Sequence, residues 1–151
     1  ETTFPALQEG LAKGGRSWSD LKLAAQCMIA TGADEEQYEE ALARTRYQIA
    51  FYGSTPIYAK ALEAEGWGEL HPTLRQMTRE NRWMEMGQLI TDEMCERFAV
   101  VGEPKDIGPK LVERFGAWID RLSIMTTYRL DPEVASKIVS DIHSLTAARG
   151  T

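Results

Sequence analysis

The amino-acid sequence predicts an α/β fold built on parallel strands. Three short apolar runs, residues 21–30, 98–101 and 122–125, each end at a turn signal, and each is followed by apolar residues at helical spacing. Strands that alternate with helices in this way pair in parallel through right-handed crossover connections. The pattern leaves two architectures open, a doubly wound sheet and a barrel.

The first element is a short helix predicted for residues 4–13, which ends at the helix-terminating pair Gly14-Gly15. The apolar run 21–30 follows and stops at Thr31-Gly32. A nearly continuous apolar run of this length is typical of a strand that is buried on both faces.

Each predicted strand is followed by a helix-start signal. Asp34 and Gln37 have the spacing of a capping box after the first strand. Gly102 and Pro104 follow the second strand, and Asp131-Pro132 follow the third, with proline at the first helical position in both cases. The apolar stripes of these helices are Tyr38, Leu42, Thr45 and Ile49; Ile107, Leu111, Phe115 and Trp118; and Val134, Ile138, Ile142 and Leu145.

Residues 48–97 are predicted to form a helical insertion between the first and second strands. Pro56 after Ser54-Thr55 is a helix-start signal within it. Two interpretations stay open for its large apolar side chains, the wall of an apolar pocket or a satellite core under a long connection. These side chains are Trp67, Met77, Trp83, Met84, Met86 and Met94.

Three strands are too few for either architecture, because both edges of an apolar parallel sheet would stay unpaired. The chain also opens at Glu1, without a methionine, directly into an apolar-periodic segment. We therefore expect the 151 residues to be part of a larger domain. We also expect the open edges to drive self-association, as a homodimer or in another form.

Composition and charge argue against several classes of function. The chain has 17 basic and 23 acidic side chains and a net charge of -6, without a long block of either sign, which disfavours a nucleic-acid partner. No apolar run approaches the roughly 20 residues that span a bilayer. The N-terminus has no signal-peptide pattern either, so we expect a cytoplasmic protein without a membrane partner.

Residues that carry chemistry are sparse. Cys27 and Cys95 lie in apolar segments without a second Cys or His at zinc-site spacing, which predicts two buried thiols and no metal site. Neither His71 nor His143 has a carboxylate or nucleophile at a spacing that would indicate a catalytic pair. Dinucleotide, P-loop and nucleophile-elbow motifs are missing from the sequence, so catalytic residues stay unassigned.

Several segments resemble the luciferase-like monooxygenase superfamily. Residues 5–12 and Gly15-Arg16-Ser17 are similar to the helix and turn after the fifth strand of that family. Residues 49–58 resemble the segment after the sixth helix in its F420-dependent branch, and residues 89–94 the segment before its seventh strand. Residues 100–107 resemble the turn into its seventh helix. The Phe-Tyr-Gly-Ser-Thr-Pro run is the most specific element.

The resemblance implies the C-terminal portion of a TIM (β/α)8 barrel. Residues 1–151 would supply strands six to eight of a single domain, with the helical insertion at residues 48–97 between the sixth and seventh strands. A full barrel needs about 250 residues, so the first five strands would be absent. In that order, residues 98–101 and 122–125 are expected to lie as adjacent parallel strands.

The resemblance also implies an oxidoreductase that transfers a hydride between coenzyme F420 and a small organic substrate. An FMN-dependent monooxygenase of the same superfamily is the alternative. The resemblance places most cofactor contacts in the absent strands, so we expect the chain alone to bind no cofactor and to be inactive. Whether the chain itself is an enzyme is left open.

Candidate cofactor-binding residues follow from barrel topology, because barrel sites lie at the carboxyl ends of the strands. They are Gly102, Thr126 and Thr127. Gly102 precedes a helix N-terminus, where phosphate often binds. The other interpretation of Gly102 is a turn glycine with an unusual φ.

The candidate substrate pocket consists of side chains with hydroxyl groups. They are Tyr52, Ser54, Thr55 and Tyr128. Ser54 or Thr55 could instead cap the helix that begins at Pro56.

A function of another class also stays open. The chain could be a self-contained, mainly helical interaction domain in which the apolar runs are buried helix segments, since periodicity does not separate short strands from such segments. Pairing of the runs as parallel strands is the observation that separates the two hypotheses.

Overall fold

The computed structural model describes residues 3–147, and Glu1 lies outside them. The fold is a three-stranded parallel sheet with helices on both faces. The strands are β1 (Ala24–Ala30), β2 (Ala99–Val101) and β3 (Arg121–Met125). The helices are α1 (Thr3–Lys13), α2 (Glu35–Ser54), α3 (Ala59–Ala64), α4 (Leu70–Arg79), α5 (Trp83–Met86), α6 (Asp92–Phe98), α7 (Pro104–Phe115) and α8 (Pro132–Ala147).

The three predicted apolar runs are strands, which contradicts the helical interpretation of these runs. Their order is β2-β1-β3, with β1 in the middle. β3 pairs with residues 24–28 of β1 and β2 pairs with residues 28–30. The predicted adjacency of residues 98–101 and 122–125 is therefore wrong, because β1 lies between them.

The central position of β1 has a physical reason. β1 is the longest strand and ends in buried residues, so a central place gives it a partner on each edge. The outer places go to β2, which has only three residues, and to β3, which is partly exposed. Short or partly polar strands tolerate an edge position best. The order β2-β1-β3 corresponds to the doubly wound alternative.

The helices form two layers, because the β1-to-β2 and β2-to-β3 connections run in opposite directions across the sheet. One core contains Ile49, Ala50, Leu62, Leu74, Met77, Met86, Ile90, Met94 and Cys95. The other contains Cys27, Ile29, Val100, Ile107, Leu111, Val134 and Ile138. Successive residues of β1 therefore face opposite layers, as the predicted two-sided burial requires.

The insertion is helical and contributes to the core of one layer, which is continuous with the sheet through Met28 and Val101. Met77, Met86 and Met94 are buried in it, and Trp67 and Trp83 pack against its surface. Met84 does not take part, because 87% of its surface is exposed. Five of the six side chains therefore belong to a core and not to a pocket wall, but this core is the main core of one layer and not a separate satellite.

Local signals are placed as predicted at all three helix starts. Asp34 accepts a hydrogen bond from the Gln37 backbone N–H at 2.9 Å, and Asp131 accepts one from the Glu133 N–H at 2.7 Å. Pro104 occupies the first turn of α7. Trp118 is a correction: it lies beyond the end of α7 and packs against Phe4 at a ring-centroid distance of 4.8 Å. The stripe of α7 therefore ends at Phe115.

No helix within residues 3–147 is long and apolar enough to cross a membrane.

Candidate functional site

The carboxyl ends of the three strands meet at one edge of the sheet. The Gly102 N–H donates to the Ala30 carbonyl at 3.2 Å, which joins the ends of β2 and β1. On the other side of β1, the Tyr128 hydroxyl accepts from the Thr31 N–H at 3.0 Å and donates to the Ile29 carbonyl at 3.4 Å. We call Thr31, Gly102 and residues 126–128 the carboxyl-edge site.

Tyr128 extends the hydrogen-bonded ladder past the end of β3. Its hydroxyl serves both a donor and an acceptor on β1, as a peptide group of a longer strand would. Burial raises the pKa of the Tyr128 hydroxyl, and the hydrogen bond from Thr31 opposes that shift. The group is therefore a neutral hydroxyl around pH 7.

Two other hydroxyls of the carboxyl-edge site lack a partner. Thr31 is fully buried, and within residues 3–147 neither Thr31 Oγ1 nor Thr127 Oγ1 makes a hydrogen bond. A buried hydroxyl without a partner costs about 1–3 kcal/mol, so such groups call for an explanation. A bound polar ligand would supply the missing partners.

Barrel topology predicts that both Thr31 and Thr127 face the pocket, because each follows a predicted strand, but only Thr127 is among the candidate binding residues. The available signal was a polar residue at the carboxyl end of a buried strand, where binding residues concentrate in α/β proteins.

Gly102 fits the turn interpretation. Its φ is +155°, and an added Cβ would lie 3.0 Å from Lys110 Nζ. Its own N–H is already bonded to Ala30, so Gly102 has no backbone donor left for a phosphate. The nearest cation is Lys110, whose Nζ donates to the Val101 carbonyl at 2.7 Å.

Thr126 follows directly after β3 and is half-buried, as are Thr127 and Tyr128. The structure thus brings Thr126, Thr127 and Tyr128 to the same edge as Gly102.

Tyr52, Ser54 and Thr55 lie elsewhere. All three lie at the C-terminal end of α2, and within residues 3–147 no hydrogen bond joins them to Tyr128 or Gly102. Ser54 Oγ and Thr55 Oγ1 donate back to the Phe51 carbonyl at 2.7 and 3.3 Å, and neither side chain caps the turn at Pro56.

Tyr52 lines a small apolar cavity of about 120 Å³ against Met28 and Phe98. Its neighbours there come from α2, α3 and the end of α6. The structure therefore does not join Tyr52 to the carboxyl-edge site.

Comparison with known proteins decides the family. The family model described as luciferase-like monooxygenase matches residues 1–121. The chain belongs to this family. Uncharacterized proteins of Mycobacterium tuberculosis and Mycobacterium bovis are 47% identical to it over 122 residues, which is 81% of this chain and 36% of theirs. The chain therefore spans about a third of the length of these curated relatives.

A more distant relative has a named activity. The 5,10-methylenetetrahydromethanopterin reductase of Methanopyrus kandleri is 25% identical over 142 residues, which cover 92% of this chain and 39% of the reductase. No solved structure matches the chain significantly.

The cysteines and histidines of this luciferase-like chain have structural roles or lie on its surface. Cys27 and Cys95 are buried free thiols, as predicted, and burial raises the pKa of Cys95 to about 11. Because Gly53 O is an acceptor, His71 Nδ1 donates to it, at 2.6 Å. His143 is exposed on α8. Within residues 3–147, no three His, Cys, Asp or Glu side chains gather as metal ligands.

Proposed function

We propose that this chain is the C-terminal part of a luciferase-like oxidoreductase whose complete domain is a TIM barrel. The observed order β2-β1-β3 differs from the consecutive order of barrel strands six to eight, so the proposal rests on the family and not on the strand order. The parent enzyme transfers a hydride between coenzyme F420 and a small organic substrate. Membership of the family and the reductase among its relatives support this proposal. The observation that carries it is the carboxyl-edge site with its two unpartnered hydroxyls, Thr31 and Thr127.

The donors at this edge fit a polar, phosphate-bearing cofactor. Thr31 and Thr127 have hydroxyls without a partner in the described part of the chain, and the Lys110 ammonium lies beside the Gly102 turn. When bound, the cofactor supplies the hydride. The residues of this chain would hold the polar groups of the cofactor. The buried hydroxyl of Tyr128 would stay neutral beside it.

The alternative is an FMN-dependent monooxygenase of the same family. Both cofactors carry hydroxyl and phosphate groups that the same threonines and Lys110 can contact. F420 is favoured because one relative is named as a reductase.

The isolated chain is expected to bind neither cofactor in the micromolar range. The carboxyl-edge site offers a row of donors along one side, whereas small-molecule sites bury most of the ligand surface. The measurement is quenching of F420 and of FMN fluorescence in titrations with the 151-residue chain. Saturable quenching by either cofactor in that range would overturn the proposal that other segments complete the site.

The role of Thr31 is tested in a longer protein. The chain replaces the matching segment of the Mycobacterium tuberculosis relative, and F420 and FMN affinities are measured for the chimera and for its Thr31→Val and Thr73→Val variants. Thr31→Val is expected to weaken cofactor binding roughly fivefold, because one hydrogen bond to a ligand contributes about 1 kcal/mol. Thr73 is exposed on α4, so Thr73→Val should bind as the chimera does. A folded chimera that binds neither cofactor contradicts the proposed function.

A further inference from the structure

The small apolar cavity beside Tyr52 lies between β1 and the last turns of α2, and its volume is about 120 Å³. We call it the α2–α3 cavity. Its lining comes from β1, α2, residues 56–58, α3 and the end of α6, and consists of Met28, Ile49, Tyr52, Gly53, Tyr58, Ala61, Leu62 and Phe98. None of these residues carries a charge, and none belongs to the carboxyl-edge site. The cavity is therefore distinct from the place proposed for the cofactor.

The walls of the α2–α3 cavity do not depend on where β3 lies. β1 and β2 are hydrogen-bonded neighbours in the observed sheet, and they are also consecutive strands in the proposed barrel. Met28 is in register with Ala99, and Phe98 directly precedes β2. The helices that complete the walls all lie between these two strands in the chain. The same walls are therefore expected in the complete domain.

The floor of the cavity is buried, whereas its mouth is open to solvent. Ile49 and Leu62 on the floor are 4% and 2% exposed. Tyr58 is 49% exposed, and Ala61 is exposed as well. A small molecule can thus pass Tyr58 and Ala61 and reach apolar surface that water does not cover.

The aromatic side chains of the cavity are held in place by ring contacts. The ring centroids of Tyr52 and Tyr58 are 5.2 Å apart. Phe98 packs edge-on against Trp67 at a centroid distance of 5.8 Å. Aromatic pairs attract one another at centroid distances of about 4.5–7 Å, so three fixed rings offer such contacts to a fourth.

We propose that the α2–α3 cavity binds an uncharged molecule with a single aromatic ring. Its volume suits this class, because an engineered apolar cavity of about 150 Å³ holds benzene. Binding removes the apolar surface of the ring and of the cavity floor from water, which is favourable. A charged ring is excluded, because no lining residue has an opposite charge and burial of an unpaired charge is costly.

Toluene is the probe, and the methionine methyl signals in an NMR spectrum report where it binds. Met28 lines the cavity, whereas Met84 is 87% exposed and does not. Toluene is expected to shift the Met28 signal and to leave the Met84 signal unchanged. Benzoate, which has the same ring and a charge, is expected to shift neither. Toluene that shifts no signal, or shifts Met84 as much as Met28, would overturn the proposal.

A matched pair of substitutions on α3 tests the position of the ligand. Ala61→Leu places a larger side chain at the mouth of the cavity, and Ala64→Leu makes the same change at an exposed position outside it. Toluene near its solubility limit is expected to raise the melting temperature of the unmodified chain and of Ala64→Leu by about 2–4 °C. Ala61→Leu should show no rise. An equal rise in Ala61→Leu would contradict binding in this cavity.

The chimera with the Mycobacterium tuberculosis relative tests whether the mouth stays open in a longer protein. Toluene is expected to raise the melting temperature of the chimera, and Ala61→Leu in the chimera is expected to remove that rise. A folded chimera without a rise would overturn the proposal for the complete domain. Cofactor affinity is measured separately, so this result does not depend on the proposed function.

Discussion

Replacing Gly32 with alanine is expected to lower the free energy of unfolding by roughly 3 kcal/mol, at the upper end of the cost of overpacking. A Cβ at this position would lie 2.3 Å from Tyr38 N and 2.6 Å from the Gln37 carbonyl carbon. Both atoms belong to the backbone of the first turns of α2, which cannot move without disturbing the cap at Asp34. Urea unfolding followed by circular dichroism measures the loss.

Gly10 provides the matched control for this substitution. It lies inside α1, and an added Cβ there would have no atom within 4 Å. Gly10→Ala should therefore stabilise the chain slightly, by about 0.5–1 kcal/mol, because alanine is the better helix former. If both variants lose the same stability, the close approach of Gly32 to α2 does not hold.

The elements of the fold could be predicted because their signals are local. The capping bond at Asp34 and the proline at the start of α7 depend on residues within four positions of each other. The two-sided burial of β1 follows from its own composition. Such signals do not depend on contacts between residues that are far apart in the sequence.

The strand order could not be predicted from local signals. Periodicity reveals that residues 98–101 and 122–125 are strands, but not which edge of β1 each one takes. That choice depends on the total burial of three strands, and β2 and β3 are the strands that tolerate an edge. The resemblance to a barrel predicted that the strands lie in the sheet in the order in which they occur along the chain, β1-β2-β3.

The candidate site was predicted in part for the same reason. Thr126, Thr127 and Tyr128 directly follow a strand, so topology alone brings them to the carboxyl edge. Tyr52, Ser54 and Thr55 were grouped with them by the chemistry of their hydroxyls. The length of α2, 20 residues, places them near its opposite end. The pairing of Tyr128 with Thr31 joins residues 97 positions apart and has no signal in the sequence.

Tyr128→Phe is expected to lower the free energy of unfolding by about 2 kcal/mol, because it removes one hydroxyl and leaves two buried backbone groups without a hydrogen-bond partner. The Thr31 N–H and the Ile29 carbonyl both lose their partner on the β3 side. Tyr58→Phe is the control, since Tyr58 is 49% exposed, and it should change stability by no more than about 0.5 kcal/mol. Equal effects of the two substitutions in urea unfolding would contradict the bridging role of Tyr128.

The pH dependence of stability tests the raised pKa of the Tyr128 hydroxyl. Burial raises the pKa of Tyr128 above its ordinary value of 10.0, so the folded chain holds this proton more tightly than the unfolded chain does. The contribution of the hydroxyl to stability is therefore complete below about pH 10 and is lost as the pH rises through the folded pKa. Tyr128→Phe has no such proton, so the stability difference between it and the unmodified chain should narrow above pH 10. A difference that stays constant from pH 8 to pH 11 would contradict the raised pKa of the buried Tyr128 hydroxyl.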